Sequence, residues 1–527
     1  MLHEQDGGWF VSSSSGSGNS VARATITVHP DFVRGTVDPR LFGTFVEHLG
    51  RCVYSGIYEP EHETADAEGF RGDVGQLTRE LGVTLVRYPG GNFVSGYRWE
   101  DGVGPVDQRP KRVDLAWRSI EPNYVGTDEF LGWASRQGLQ PMMAINLGSR
   151  GLQSAANLVD YTNVSAGTAW SDLRRSHGAA NPYGVKLWCL GNEMDGPWQT
   201  GQKTALEYGA IAAEAAKAMR AVDPTIELVA CGSSSRDMPT FGSWEATVLE
   251  RTYDLVDYVS LHAYYEQYGD DRASFLASGA ALDGFIDDVV ATADAVRGKL
   301  HSKKTINLSL DEWNVWYLSR FSMSTDELSH APELLEDIYS TLDAVVVGDL
   351  LVSMLKHADR VRIGCQAQLV NVIAPIRTQR GGAAWRQTTF YPFAETAAHH
   401  GSHVLHASVN APLTETARHG PVPDLNAVVT ASPIDDQRTS IASFLVNRGR
   451  RPLVVDLRHA GFDDLRVLDF RSIQADDAGA RHDAASARAA MPQPGAHPVT
   501  ADGVTTVQLP PESWSVLRAE AVGALGG

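Results

Sequence analysis

Cysteine is scarce in this chain. Four occur among 527 residues, Cys52, Cys189, Cys231 and Cys365, far apart and without a C-x-x-C pair. That excludes a disulfide framework and a zinc site of the usual spacing. Cys189 and Cys231 lie in apolar, strand-like runs, where a free thiol behaves as a small hydrophobe. Positive charge is also in short supply. Against 64 Asp and Glu stand 45 Lys and Arg, a net charge of −19, so neither nucleic acid nor an anionic membrane is expected as a partner. No apolar run reaches membrane-spanning length. Residues 1–20 are Ser/Gly-rich, carry Glu4 and Asp6, and lack the basic start and apolar stretch of a signal peptide. They read as a disordered extension of a cytoplasmic protein.

What is present is a large soluble globular chain, 43% hydrophobic and 21% charged. Between residues 40 and 400, short apolar runs alternate with helix-like stretches. The runs at 41–47, 84–88, 141–147, 185–190, 226–230, 258–263, 305–310 and 361–366 read as eight strands. Residues 203–222, 282–300 and 333–356 read as helices, the first closed by Asp223-Pro224. Eight strands alternating with helices predict a (β/α)8 TIM barrel over 37–402, with a doubly wound open sheet as the competitor.

Beyond residue 402 the pattern turns to short β-rich pieces at 425–430, 439–447, 453–457 and 505–516, predicting an antiparallel, jelly-roll-like β-sandwich over 403–527. The strand-like stretch 21–29 has no place in the barrel. Residues 21–36 are therefore expected to join the sandwich. The stretch 475–498, rich in Ala, Asp and Pro, reads as a mobile loop.

Chemistry in such barrels gathers at the C-terminal strand ends. Trp188-Cys189-Leu190-Gly191-Asn192-Glu193 runs a strand into an amide and a carboxyl group, and Leu308-Ser309-Leu310-Asp311-Glu312 does the same with a second carboxylate. A carboxyl group rarely follows a buried strand without a partner or a task. Two of them suit glycosidic-bond cleavage, in which one donates a proton and the other stays ionised. Spacing in sequence gives no distance, so retention or inversion stays open. His262 and Tyr264, two apart on the sixth strand, share a face and can orient a nucleophile or bind hydroxyls. Arg87 is placed to hold a carboxylate ionised, and Asn92 to bond a sugar hydroxyl. Glu47 is a third candidate carboxylate, either a hydroxyl acceptor or a salt-bridge partner of Arg87. Gly90-Gly91 lacks the Lys-Ser/Thr and third Gly of phosphate loops. No cofactor and no metal are expected. His399, His400 and His403 read as solvated surface.

Phe45-Val46-Glu47-His48-Leu49-Gly50-Arg51, Pro89-Gly90-Gly91-Asn92-Phe93, Trp188 through Trp198 and Asp311-Glu312-Trp313-Asn314-Val315-Trp316 together resemble the α-L-arabinofuranosidases of glycoside hydrolase family 51, from about residue 21 onward. The resemblance implies an exo-acting, retaining enzyme that releases terminal arabinofuranose from arabinan or arabinoxylan oligosaccharides. It makes Glu193 the acid/base and Glu312 the nucleophile. Glu47, Asn92, Asn192 and Gln368 become ligands of sugar hydroxyls. Tyr264 bonds the nucleophile, and His262 lies beside the acid/base. Trp316 and Trp117 become aromatic walls, Trp117 on a loop able to cover the substrate. It also implies a homo-oligomer, a hexamer in this family. The rival readings are an endo-acting β-glucanase or β-xylanase on the same barrel, and a non-catalytic carbohydrate-binding protein.

Overall fold

The computed structural model describes residues 21–323, 328–476, 484 and 486–526. The expected extension 1–20 lies outside the described residues, as does part of the stretch 475–498. Eight parallel strands close into a barrel: β1 (Gly43–Phe45), β2 (Leu85–Tyr88), β3 (Gln140–Ala144), β4 (Leu187–Cys189), β5 (Glu227–Ala230), β6 (Tyr258–Tyr265), β7 (Asn307–Val315) and β8 (Val361–Gln366). Each pairs with its sequence neighbour, and β8 returns to β1 through Cys365↔Gly43 and Gln366↔Thr44. Closure rules out the doubly wound sheet. All four cysteines are free and buried.

Two boundaries differ from expectation in ways that matter. β7 runs to Val315, so Glu312 lies inside a strand rather than just past its end. Its pairing with β6 shifts register between Ser260 and His262 and then continues, with His262 the direct neighbour of Glu312 and Tyr264 of Asn314. The helix expected over 333–356 begins only at Thr341. Ser340 caps it, its hydroxyl accepting from the Asp343 amide while Asp343 accepts from the Ser340 amide at 2.7 Å. The preceding residues are irregular because Glu336 is drawn to Arg51 and Arg377, each at 2.6 Å.

The helix Thr341–Lys356 is buried along its length except at Lys356, because the barrel covers one side and the sandwich the other. Its Asp349 carries the junction. Arg448 Nη2 of the sandwich lies 2.9 Å from both Asp349 oxygens, Asn426 Nδ2 donates at 2.9 Å, and the Gly279 amide donates at 2.8 Å. Three donor groups making four contacts with one buried carboxylate satisfy its charge. His399, His400 and His403, expected as solvated surface, are half-buried. His400 stacks on Phe42 at 4.6 Å, and burial lowers its pKa. His399 lies 3.4 Å from Glu395.

The sandwich has a second hydrophobic core. One sheet has seven strands, from Val33–Thr36 through His403–Leu405, Leu425–Pro433, Arg438–Asn447, Ser513–Val522 and Asp463–Gln474 to Gln493–Pro494. The other has five, and the N-terminal strand Ala22–Val28 lies within it between Ser408–Asn410 and Leu453–His459. That strand pairs parallel with Leu453–His459, so the sandwich is not wholly antiparallel. The piece expected over 505–516 is two strands, Val504–Leu509 and Ser513–Val522, divided at Pro510-Pro511, which have no amide hydrogen to continue a ladder.

Candidate active site

The predicted polar residues meet at the C-terminal mouth of the barrel. Glu312, from β7, accepts from Arg87 Nη1 at 2.7 Å on Oε1 and from the Tyr264 hydroxyl at 2.8 Å on Oε2. Arg87, from β2, also donates to Asn192 Oδ1 at 2.7 Å, and its Nε lies 3.8 Å from Asp311. Asn192 in turn donates to Asn92 Oδ1 at 3.2 Å. Arg87, Asn192, Asp311 and Glu312 are all buried. Arg87 thus serves β7, not Glu47, and the salt bridge weighed between Arg87 and Glu47 does not form.

Glu193 lies on the turn after β4. Gly191, at φ +100, and Glu193 itself, at φ +41, both hold left-handed backbone. For a glutamate this costs about 1–3 kcal/mol, which the surrounding bonds offset. Its Oε1 meets His262 Nδ1 at 2.8 Å, and its Oε2 accepts from Trp198 Nε1 at 2.7 Å. The other ring nitrogen of His262 faces Asp311 Oδ1 at 3.1 Å, and Nδ1 is also 3.5 Å from Glu312. One oxygen of Glu193, one of Glu312 and a nitrogen of His262 all lie within 4.8 Å of one another.

These contacts separate the protonation states. Burial pushes the Glu193 carboxyl up, and the charge of Glu312 adds to it; the donors His262 and Trp198 only partly offset this. Burial alone would lower His262, but Glu312, Asp311 and Glu193 outweigh it and raise the imidazole to about 10. Asp311 is likewise opposed by burial, yet Arg87 and His262 hold it below the usual carboxylate range. The upward shift of His262 favours its imidazolium form, in which one ring N–H points at Glu193 and the other at Asp311. A nitrogen of His262 and one oxygen each of Glu193 and Glu312 are also atom types that can ligate a cation.

Glu47 forms the opposite wall, beyond the end of β1. Its Oε1 accepts from the Phe93 amide and from Trp117 Nε1, both at 2.9 Å, and its Oε2 from Gln368 Nε2 at 3.0 Å. Burial raises this carboxyl to about 8. The neighbouring Gly90-Gly91 pair exists for this carboxyl group and not for a phosphate: a Cβ on Gly91 would sit 2.6 Å from Glu47 Oε2. Trp316 stands edge-on to Tyr264 at 5.0 Å, and its buried indole N–H has no partner among the described residues. Phe321, which sequence reasoning missed, lies 6.4 Å from both Trp117 and Trp316 and closes the aromatic wall. Asp311 and Trp198 were also missed as site residues, although both stand in motifs flanking the two glutamates.

Residues 311–513 match the α-L-arabinofuranosidase C-terminal domain family, and residues 77–277 the α-L-arabinofuranosidase 1 domain family. An intracellular exo-α-(1→5)-L-arabinofuranosidase of Streptomyces lividans is 53% identical over 500 residues, 94% of this chain and 75% of the relative. The chain belongs to the family 51 α-L-arabinofuranosidases. An exo-α-(1→6)-L-arabinofuranosidase of Bifidobacterium longum is 50% identical over 94% of this chain and 96% of its own. Among solved structures, the family 51 α-L-arabinofuranosidase AbfB of Bifidobacterium longum superposes with a TM-score of 0.89 at 44% identity, over 95% of this chain and 100% of that one. A Paenibacillus polymyxa xyloglucanase of family 44, 10% identical with a TM-score of 0.59, shares the fold alone. The barrel with its sandwich is thus the architecture of the family, and the chain is a glycoside hydrolase.

Proposed function

We propose that this enzyme removes terminal, non-reducing α-L-arabinofuranosyl residues from arabinan and arabinoxylan oligosaccharides by double displacement, with retention of configuration. The observation that carries the mechanism is the 4.8 Å limit on the separation of a Glu193 and a Glu312 oxygen. Retaining glycosidases hold their carboxyl groups about 5–5.5 Å apart and inverting ones about 6.5–9.5 Å, leaving room for water. Glu312, held by Arg87 and Tyr264, attacks the anomeric carbon. Glu193, raised by burial, gives its proton to the departing glycosidic oxygen, then removes a proton from the water that releases the sugar.

Glu47, Asn92, Asn192 and Gln368 bond the sugar hydroxyls; Trp117 and Trp316 enclose the ring. Relatives named for exo action support release of single residues from chain ends. Their names differ in linkage, (1→5) against (1→6), so the two linkages are both candidates here. Relatives named intracellular support work in the cytoplasm. Family resemblance supports a homo-oligomer, a hexamer.

The test uses 4-nitrophenyl α-L-arabinofuranoside. Glu312→Ala should abolish turnover, and near-normal rates would refute its role. Glu193→Ala should still form the glycosyl-enzyme but release it slowly, and azide should rescue it as an α-configured glycosyl azide. A β-configured product would overturn retention.

A further inference from the structure

Trp198 has no task in the reaction as described so far. The residue is 52% exposed, yet its indole N–H turns inward onto Glu193 Oε2 at 2.7 Å. Oε1 of the same group already faces His262. A carboxyl group that must deliver a proton therefore has a donor on each oxygen. Donors of this kind favour the charged form of a carboxyl group, which is the form needed only in the second half of the reaction.

The local chain is shaped around this contact. The Gly196 amide donates to the Glu193 carbonyl at 2.9 Å, folding the segment back on itself. A Cβ on Gly196 would lie 2.6 Å from Trp198 Cε2 and 2.9 Å from Nε1. Glycine is required there because the indole lies across it, and any side chain would push the ring away from the carboxyl group. Trp198 remains half exposed to solvent while its N–H stays on Glu193 Oε2.

We propose that Trp198 is a positioning residue for the acid/base. Its N–H occupies Glu193 Oε2 when no leaving sugar is present and gives that oxygen up to the glycosidic oxygen, while the departing sugar covers the exposed indole face. In the first step the Glu193 proton passes to the glycosidic oxygen as the C1–O bond breaks and a Glu312 oxygen bonds C1. Trp198 then returns to the newly ionised Oε2. In the second step that carboxylate takes a proton from water, the water oxygen bonds C1, and the bond from C1 to Glu312 breaks. The inference rests on the retaining reading above.

The charged groups around Glu193 are His262 from β6, Asp311 and Glu312 from β7, Arg87 from β2, and Asp195 on its own turn. None is altered by changing Trp198. Trp198→Phe keeps an aromatic face and removes the N–H. Initial rates of the full chain on α-1,5-arabinobiose, whose leaving group needs a proton, should show the alkaline limb of kcat/KM moving upward by about one pH unit. Gly196→Ala, which displaces the ring without altering it, should move the limb in the same direction and decides the matter if Trp198→Phe does not fold. An unmoved limb, at any overall rate, overturns the proposal. A wild-type protein inactive on every arabinofuranoside would instead sink the function itself.

Discussion

Arg87 Nη1 lies 2.7 Å from Glu312 Oε1, with both groups buried. A permanent cation beside the carboxylate that must stay ionised does two things at once. It lowers the cost of an anion away from water, and it fixes the direction of attack.

Replacing Arg87 with Met should therefore damage both catalysis and folding. Removing one partner of a buried ion pair costs about 3–5 kcal/mol, and a nucleophile displaced by about 1 Å loses about 100-fold in rate. The expected result is a kcat on 4-nitrophenyl arabinofuranoside at least 100-fold lower, with a lower thermal midpoint. Unchanged kcat would show that Glu312 is oriented by other groups.

Trp117 should act on binding more than on chemistry. Its N–H supports Glu47, which is assigned to a sugar hydroxyl and not to proton transfer. Trp117→Phe removes that one bond, so KM should rise about 5–10-fold with kcat nearly unchanged. Steady-state kinetics check this, and a fall confined to kcat would contradict it.

Much of this site is readable in the sequence because carboxyl groups directly after apolar strands stand out against the rest of the surface. Glu193 and Glu47 are of this kind, Glu312 follows the apolar run Leu308–Leu310 within its strand, and Arg87 is a lone charge inside an apolar strand. Phe321 is not so marked, since it sits in an irregular stretch after β7 with no periodic pattern to place it. Gly90-Gly91 is visible as a close approach, but the sequence does not say to what; the answer is the Glu47 side chain. The strand Asp463–Gln474 escaped notice because its charged residues mask the alternation that marks a strand, its first half being largely exposed. The late start of Thr341–Lys356 depends on Glu336 pairing with Arg51, nearly 300 residues away, which no local window contains.

The pH dependence of stability has a definite sign. Glu47 rises from an ordinary 4.5 to about 8 in the folded protein. The fold therefore binds its proton more tightly than the unfolded chain, and this stabilisation is lost as pH climbs from 4.5 through 8. His262, raised from 6.5 to about 10, adds a loss over that higher window. Glu47→Gln removes only the first contribution. Relative to wild type, its thermal midpoint should improve by about 2 °C or more between pH of about 5 and about 8.5. A constant difference across that range would show that Glu47 titrates normally.

Asp349 offers a test away from the chemistry. Asp349→Ala leaves Arg448 buried without its partner, at a cost of about 3–5 kcal/mol. Thermal melting should fall markedly, while the protein that remains folded keeps its wild-type kcat. A matched loss of kcat would mean that the sandwich junction shapes the catalytic mouth.

The placement of Ala22–Val28 between Ser408–Asn410 and Leu453–His459 also governs how the molecule is made. The first of these strands to leave the ribosome has no neighbour until more than 380 further residues have followed it. The nascent barrel must assemble with that strand still unpaired, because both flanking partners follow the barrel in the chain. Pairing of that strand is thereby tied to synthesis of the sandwich that follows the barrel.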